Sequence, residues 1–426
     1  MKISRRVKSL AVNLALLATA TLAGLGVLET ASRLIVTSRP PGRSGEQAAY
    51  TVFDPILGWR NRPGASVTYN RREYKTRVEI NSLGFRDIER SPTKRPGTRR
   101  VLVMGDSFIE AYAVERDKGI TRRAEDSAAS AGCPSEVINA GVHGYSIDQE
   151  YLWYRREGSA LDADIVVMAV YYNDIVQTVR TRYWGSPTPL LEVRDGELTP
   201  VNTPLEPPMP TVPETPKKRR IEGSALKFLV LERLITGAPL FYAQLAQSGL
   251  VSPYQPDSLP DELRVYKKRG QLAEVRAAWT RTGQILDAFA DAVRADGAIP
   301  VVAHIPASFE VVDEDWDHTL MNYGLSAEAW DRSLVRNRLS ELSRNSQSHF
   351  VDFTDELRAS VGGWNGAPYF RHDGHWNDLG NDVAGQALVS FLRRNLLLRC
   401  PGSTFPGSSL RTRPRRGDMN ASLTAP

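Results

Sequence analysis

The hydrophobic positions of this chain fall into distinct regimes. From Ser9 to Leu28 the residues are uncharged and mostly apolar, a run closed by Glu29 and Arg33. From about residue 99 to 395, short runs of Val, Ile, Leu and Met alternate with longer stretches in which apolar residues recur at helical spacing. This second regime predicts strand 101–104, a helix over Ile120–Ser130, strand Val137–Asn139, a helix from Asp148 through Glu157, and strand Ile165–Val170. After an interruption it predicts a helix over Glu274–Ala295, strand Ile299–Ala303, a helix near Ala327–Arg344, strand His349–Phe353, a short helix to Val361, and a last helix over Asp378–Arg394. Strands of nearly continuous Val, Ile and Met that alternate with helices predict an α/β fold with a parallel sheet covered on both faces.

The flanking stretches read differently. Residues 37–98 carry turn signals such as Asp54-Pro55 and Arg62-Pro63-Gly64 between short β-branched runs at Ala65–Tyr69 and Thr76–Ile80, which predicts small strands or hairpins. Residues 184–220 are proline-rich and end in Lys217-Lys-Arg-Arg220, the composition of a mobile, solvated insertion. Leu226–Leu240 follows as a short apolar helix, a cover element or a membrane-proximal flap. The Ser-, Pro- and Arg-rich tail from Pro401 predicts disorder. The expected division is therefore a membrane anchor or signal segment at 1–36, a β-containing lead-in at 37–98, an α/β domain at 99–396 with an insertion at about 178–268, and a basic tail at 397–426.

Charge changes the picture less than its total suggests. The formal +5 comes from the ends: Lys2, Arg5, Arg6 and Lys8 at the start, and five arginines against Asp418 after residue 398. The stretch between them is net acidic, so no nucleic-acid surface is expected. Twenty residues of helix span roughly 30 Å, about one bilayer core. Ser9–Leu28 behind a basic head therefore reads as an uncleaved anchor that places the bulk of the chain outside the cytoplasm, although Arg33, Arg39 and Arg43 beyond it reduce the charge asymmetry. Ala18-Thr-Ala20 would serve as a cleavage site in the alternative of a secretory signal. Cys133 and Cys400 could pair in an oxidising compartment, but no metal spacing is present and no cofactor is expected.

Four segments carry candidate chemistry. Val101-Leu-Val-Met-Gly-Asp-Ser107 is a strand that runs into a tight turn, and a serine there projects from the sheet edge, where open α/β sheets place their sites. Asp and Ser are also ordinary turn formers, so the tetrapeptide alone decides little. Asn139-Ala-Gly-Val-His-Gly144, Tyr172-Asn-Asp174 and Phe370-Arg-His-Asp-Gly-His-Trp376 end at similar positions, and in a right-handed parallel sheet such loops converge on one edge. Together they supply every part an acyl-transfer site needs: Ser107 as nucleophile, His375 as base, Asp373 as the acid that orients it, and the amides of Ser107 and Gly144 with the Asn173 side chain as oxyanion donors.

In order and spacing, these four blocks resemble those of the SGNH/GDSL hydrolase family over roughly residues 99–395. The resemblance implies a flavodoxin-like three-layer α/β/α sandwich, ester hydrolysis or O-acyl transfer, and the same roles for Ser107, Gly144, Asn173 and His375. One departure is that the family usually places its acid three residues before the histidine, whereas here position 372 is His372 and the acid, Asp373, lies two before. This Asp-x-His-Trp form resembles that of the membrane-linked, alginate O-acetyltransferase-like members. His372 is then either a substrate contact or a solvated loop residue.

Other groups have plainer accounts. His304 reads as a loop or packing histidine, His143 as an exposed loop residue, and Asp174 as a helix cap. Asp313, Glu314, Asp315, Asp317 and His318 read as a solvated loop. The resulting expectation is a membrane-anchored, extracytoplasmic serine esterase or O-acyltransferase that uses an acyl-enzyme on Ser107. Its substrate would be a carbohydrate acetyl ester, and envelope polysaccharide machinery its partner. The alternative is a scaffold of such a complex that keeps the fold without turnover.

Overall fold

The structure is a computed structural model, which describes residues 2–37, 45–207, 259–362 and 366–398 together with positions 226, 230, 248 and 250. An N-terminal helix, Lys2–Thr37, contains at Val12–Arg33 a segment long and apolar enough to cross a membrane, and its apolar side chains are exposed. It extends past both ends of the apolar run because no Pro or Gly-rich stop occurs before Thr37. A second helix, Gly45–Tyr50, leads into two antiparallel hairpins. In the first, β1 (Thr51–Asp54) pairs with β2 (Gly58–Asn61), and in the second, β3 (Ser66–Asn70) pairs with β4 (Lys75–Glu79).

The central sheet has five parallel strands: β5 (Arg99–Gly105), β6 (Ser135–Gly141), β7 (Ile165–Val170), and, after the insertion that carries β8 to β11, β12 (Ile299–His304) and β13 (His349–Asp352). Their spatial order is β6-β5-β7-β12-β13. The chain therefore steps outward once from β5 to β6, then returns across β5 to build the rest of the sheet on its other side, which is the flavodoxin-like order. The direction of winding reverses between β5 and β7, and the crevice at such a point is where these sheets bind ligands.

Strand periodicity explains the layers. Along β5, Val101 and Val103 belong to one apolar cluster and Leu102 and Met104 to the other, because successive side chains point to opposite faces. One face is covered by Ile120–Ser130 and Asp378–Arg394 through residues such as Ile120, Ala124, Ala384 and Leu388. The other is covered by Ile147–Arg156 and Ala273–Ala295 through Ile147, Tyr151, Ile285 and Phe289. Each such fully buried aliphatic or aromatic side chain contributes about 1.5–3 kcal/mol of transfer free energy. A third cluster (Tyr50, Tyr69, Tyr74, Val78 and Ile80 with Tyr112 and Ala113) packs the second helix and the β3–β4 hairpin onto the segment after β5. Buried Arg86 fixes that junction, donating to the carbonyls of Glu110, Ala111 and Val114 at 3.2, 2.8 and 2.6 Å.

Three expectations are corrected. The first part of the insertion is not solvated coil: β8 (Arg182–Tyr183) pairs with β9 (Ser186–Pro187), and β10 (Leu191–Arg194) with β11 (Glu197–Pro200). Leu191 is fully buried, and the Asn202 amide accepts from Leu190 and donates to Thr188, which satisfies backbone that the prolines cannot. The acidic cluster is a helix, Asp313–Tyr323, rather than a loop. Its three leading carboxylates occupy the first turn, where the helix dipole favours them, and Gly324 closes it. The helix expected from Ala327 starts instead at Leu334, because Trp330 forms a β-bridge with Lys267 and Asp331 accepts the Ser333 amide. The Lys217–Arg220 run, the tail and most of Leu226–Leu240 lie outside the described residues. Cys133 is disulfide-bonded, and Cys400 also lies outside them.

Candidate active site

The turn after β5 forms because Asp106 caps the short helix Ser107–Glu110, its carboxylate accepting the Phe108 amide at 2.9 Å. Ser107 is thereby held as the first helical residue at the sheet edge, largely buried but reachable. The loop before the last helix returns to the same place. Gly374, at φ +82°, reverses the backbone between Asp373 and His375, so two side chains separated by one residue face each other. The anti bridge between Tyr369 and Trp376 and the Phe370 amide on the His375 carbonyl close this loop.

His375 Nε2 lies 2.8 Å from Ser107 Oγ, and its Nδ1 lies 2.6 Å from Asp373 Oδ1. The network assigns the proton to Nδ1, which donates to the carboxylate and leaves Nε2 to accept from the serine. The imidazole plane is held between Phe108 and Tyr112, with ring centroids 4.7 and 5.0 Å away. Asp106 is not a rival base partner: Ser107 Oγ is 3.5 Å from it, too long to compete with His375.

Three further residues hold the acid. Tyr74 donates to Asp373 Oδ2 at 2.7 Å, and Tyr112 reaches the same carboxylate at 3.3–3.4 Å. The Glu73 carboxylate accepts the amides of His372 and Asp373 at 2.9 and 3.0 Å. Burial alone would raise the Asp373 carboxyl, but the hydrogen bond and charge of His375, joined by the Tyr74 hydroxyl, outweigh it and hold the group at about 2. Sequence pattern could not have found Glu73 and Tyr74, which lie some three hundred positions upstream at the tip of the β3–β4 hairpin. Tyr112, only five residues after Ser107, carries a weak positional signal.

The other expected residues surround this centre. Gly144, at φ +77°, sits beneath three rings: a Cβ there would meet Trp184, Tyr183 and Trp59 at 3.3–3.5 Å, so both the turn and the packing require glycine. Asn173 lies in the first turn of the helix Tyr172–Gln177 after β7, its amide donating to Tyr183 Oη at 3.4 Å while its Oδ1 has no hydrogen-bond partner among the described residues. Ser107 and Asn173 thus flank the reversal point of the sheet. Asp174 caps its helix from within, accepting the Tyr171 amide at 2.8 Å. His372 is exposed and meets Glu73 through its backbone.

One further histidine differs from expectation, and another takes the packing role read for it. His143 is buried rather than exposed, its ring 4.8 Å from that of Tyr112 and its carbonyl accepting the Trp59 indole at 3.0 Å. His304, at the end of β12, is fully buried, with Nδ1 2.8 Å from Asp352 and Nε2 3.5 Å from Glu310. Its burial would push the imidazole down, but the two carboxylates prevail and raise it to about 9, which makes it a structural cation.

Behind Ser107 lies a group of buried carboxyls. Burial pushes Asp106 and Asp148 up to about 6 and raises Glu150 and Asp174 well above the usual carboxylate range, where repulsion from the neighbouring carboxylates adds to it. Among the described residues no group of three or more His, Cys, Asp or Glu is arranged to hold a metal ion.

No protein-family model and no curated protein matches the sequence. Solved structures do resemble the chain. One is an acetyl xylan esterase, 13% identical with a TM-score of 0.37 over 68% of this chain and 98% of that one. Another is a psychrotrophic esterase from Pseudoalteromonas sp., 11% identical with a TM-score of 0.34 over 70% and 99%. A third is a GDSL-like lipase from Bacteroides thetaiotaomicron, 12% identical with a TM-score of 0.31 over 70% and 89%.

Proposed function

We propose that this chain is an SGNH/GDSL-type serine esterase or O-acyltransferase that works through an acyl-enzyme on Ser107. The observation that carries the reading is the continuous hydrogen-bonded line from Ser107 Oγ through His375 to Asp373, at 2.8 and 2.6 Å. As Oγ attacks the ester carbonyl, His375 Nε2 takes its proton, and the ionised Asp373 stabilises the imidazolium that forms. The amides of Ser107 and Gly144 and the Asn173 side chain receive the developing oxyanion. His375 returns the proton to the departing alkoxide, which leaves as the alcohol and yields acyl-Ser107. In the second half His375 deprotonates water or an acceptor hydroxyl, whose attack releases the acyl group and restores Ser107.

The finer reading is a carbohydrate acetyl ester handled outside the cytoplasm. It is supported by the Asp373-Gly-His-Trp376 form of the last block and by the apolar segment Val12–Arg33, which would anchor the protein with its basic head inside. Partnership with envelope polysaccharide machinery rests on the same resemblance. The test is to challenge the detergent-solubilised full chain with chromogenic acetyl esters and acetylated saccharides, with Ser107→Ala as control. Ester turnover that the variant lacks is expected. Equal rates for the two proteins would overturn the assignment.

A further inference from the structure

Trp184 is placed where neither folding nor solubility recommends it. It is the first of the two turn residues of the β8–β9 hairpin, with φ +46° at Trp184 and +80° at Gly185. Two-residue hairpins of this kind require positive φ at both positions and strongly prefer Asn, Asp or Gly at the first. A bulky aromatic there is a backbone outlier, and such outliers cluster at ligand-binding sites. The side chain is not buried in recompense, since 51% of the residue is exposed.

Its surroundings say what it faces. Trp184 stacks on Tyr183 with centroids 4.2 Å apart and planes 24° from parallel, and the edge of His143 meets it at 5.6 Å. The stack closes over Gly144, one of the proposed oxyanion donors, and Tyr183 Oη holds the amide of Asn173, another. From Trp184 an unbroken line of rings runs through His143 and Tyr112 to His375. A flat apolar surface, half open to solvent, therefore adjoins the nucleophile's oxyanion loop, with the His143 ring at its edge and the Arg182 guanidinium on the Gly185 carbonyl of the same turn.

We infer that Trp184 is the stacking platform for a sugar ring of an O-acylated saccharide whose ester enters the Ser107 site. This inference rests on the esterase reading above. A pyranose presents an apolar face of C–H groups and a polar rim of hydroxyls, matching a rigid indole surrounded by hydrogen-bonding edges. A lipid chain would instead call for an enclosed apolar channel, whereas this ring is half open to solvent. The stack on Tyr183 and the His143 edge hold the indole in place before substrate arrives, so little side-chain entropy is lost on binding.

The test uses two substitutions that keep the hairpin: Trp184→Asn, which the turn itself prefers, and Trp184→Phe, which keeps a smaller ring. In the full chain carrying Ser107→Ala, chemically O-acetylated xylotetraose or cellotetraose should bind by calorimetry. Adding Trp184→Asn should weaken that binding about tenfold or more, and Trp184→Phe should retain part of it. In the active enzyme, Trp184→Asn should lower kcat/KM on the acetylated tetrasaccharides, through KM, about tenfold further than on 4-nitrophenyl acetate. Unweakened binding in Trp184→Asn, or equal losses on both substrates, would overturn the platform. Absence of wild-type ester turnover would remove the catalytic reading alone, because the calorimetric arm needs no turnover.

Discussion

Tyr74, at the tip of a lead-in hairpin, donates its hydroxyl to Asp373 Oδ2 at 2.7 Å, on the oxygen opposite the one that receives His375. The Asp373 carboxylate is thus held on both oxygens, one by His375 and one by a residue from a separate part of the chain. Hydrogen bonds to charged groups are worth about 1.5–3 kcal/mol. Tyr74→Phe should therefore lower kcat/KM on a simple acetyl ester by about tenfold. Tyr112→Phe, whose bond to the same carboxylate is longer, should cost less. Unchanged kinetics in both variants would mean that the rings, which phenylalanine keeps, and not the hydroxyls, position the acid.

Asp373 itself carries the strongest prediction on turnover. In serine triads the loss of the acid costs up to ~10⁴ in kcat, because the histidine adopts the wrong tautomer. Asp373→Asn should approach His375→Ala in severity, whereas His372→Ala, an exposed neighbour tied only through its backbone, should be mild. Steady-state kinetics of the three variants decide it. Retention of most activity in Asp373→Asn would leave a Ser107–His375 dyad.

Asn173 is expected to act only when charge develops on the substrate. Among the described residues its Oδ1 is unpartnered and its amide makes just the long contact with Tyr183, so little folding energy depends on it. Asn173→Ala should lower kcat roughly 10²–10³-fold with KM and melting temperature little changed. A variant that melts early with kcat intact would show a structural role instead.

How much of this was legible beforehand depends on the range of the interaction. Ile120–Ser130, Ile165–Val170 and Asp378–Arg394 have the bounds their apolar periodicity predicts, because burial against a two-sided sheet leaves a clear 2.0 or 3.6 repeat. Ser107, Asp373 and His375 could be read because strand ends of a parallel sheet share one edge. Glu73 and Tyr74 could not, since their partners are about three hundred residues away and nothing local marks them. The helix Asp313–Tyr323 was hidden because its charge run looked like solvated loop, although first-turn carboxylates favour a helix. Trp184 was hidden for the opposite reason: a proline-rich composition masked two hairpins, one of them holding a residue that its turn disfavours.

His304 supplies a prediction that turnover does not enter. Its imidazole, at the end of β12, lies between Asp352 at the end of β13 and Glu310 of the short helix Ser308–Val311, fully buried, and raised from an ordinary 6.5 to about 9. A folded-state value above the unfolded one means that the folded protein binds the proton more tightly. The stabilisation is therefore complete below about pH 6.5 and lost as pH rises through about 9. Its full size is on the order of 3 kcal/mol. Urea unfolding of the wild-type chain between pH 6 and 10 should show stability falling across that window. In His304→Gln, which keeps a polar group without a titrating proton, stability should be lower at pH 6 and nearly flat over the same range. If both proteins lose stability in parallel, the alkaline transition belongs to another group and His304 is neutral in the fold.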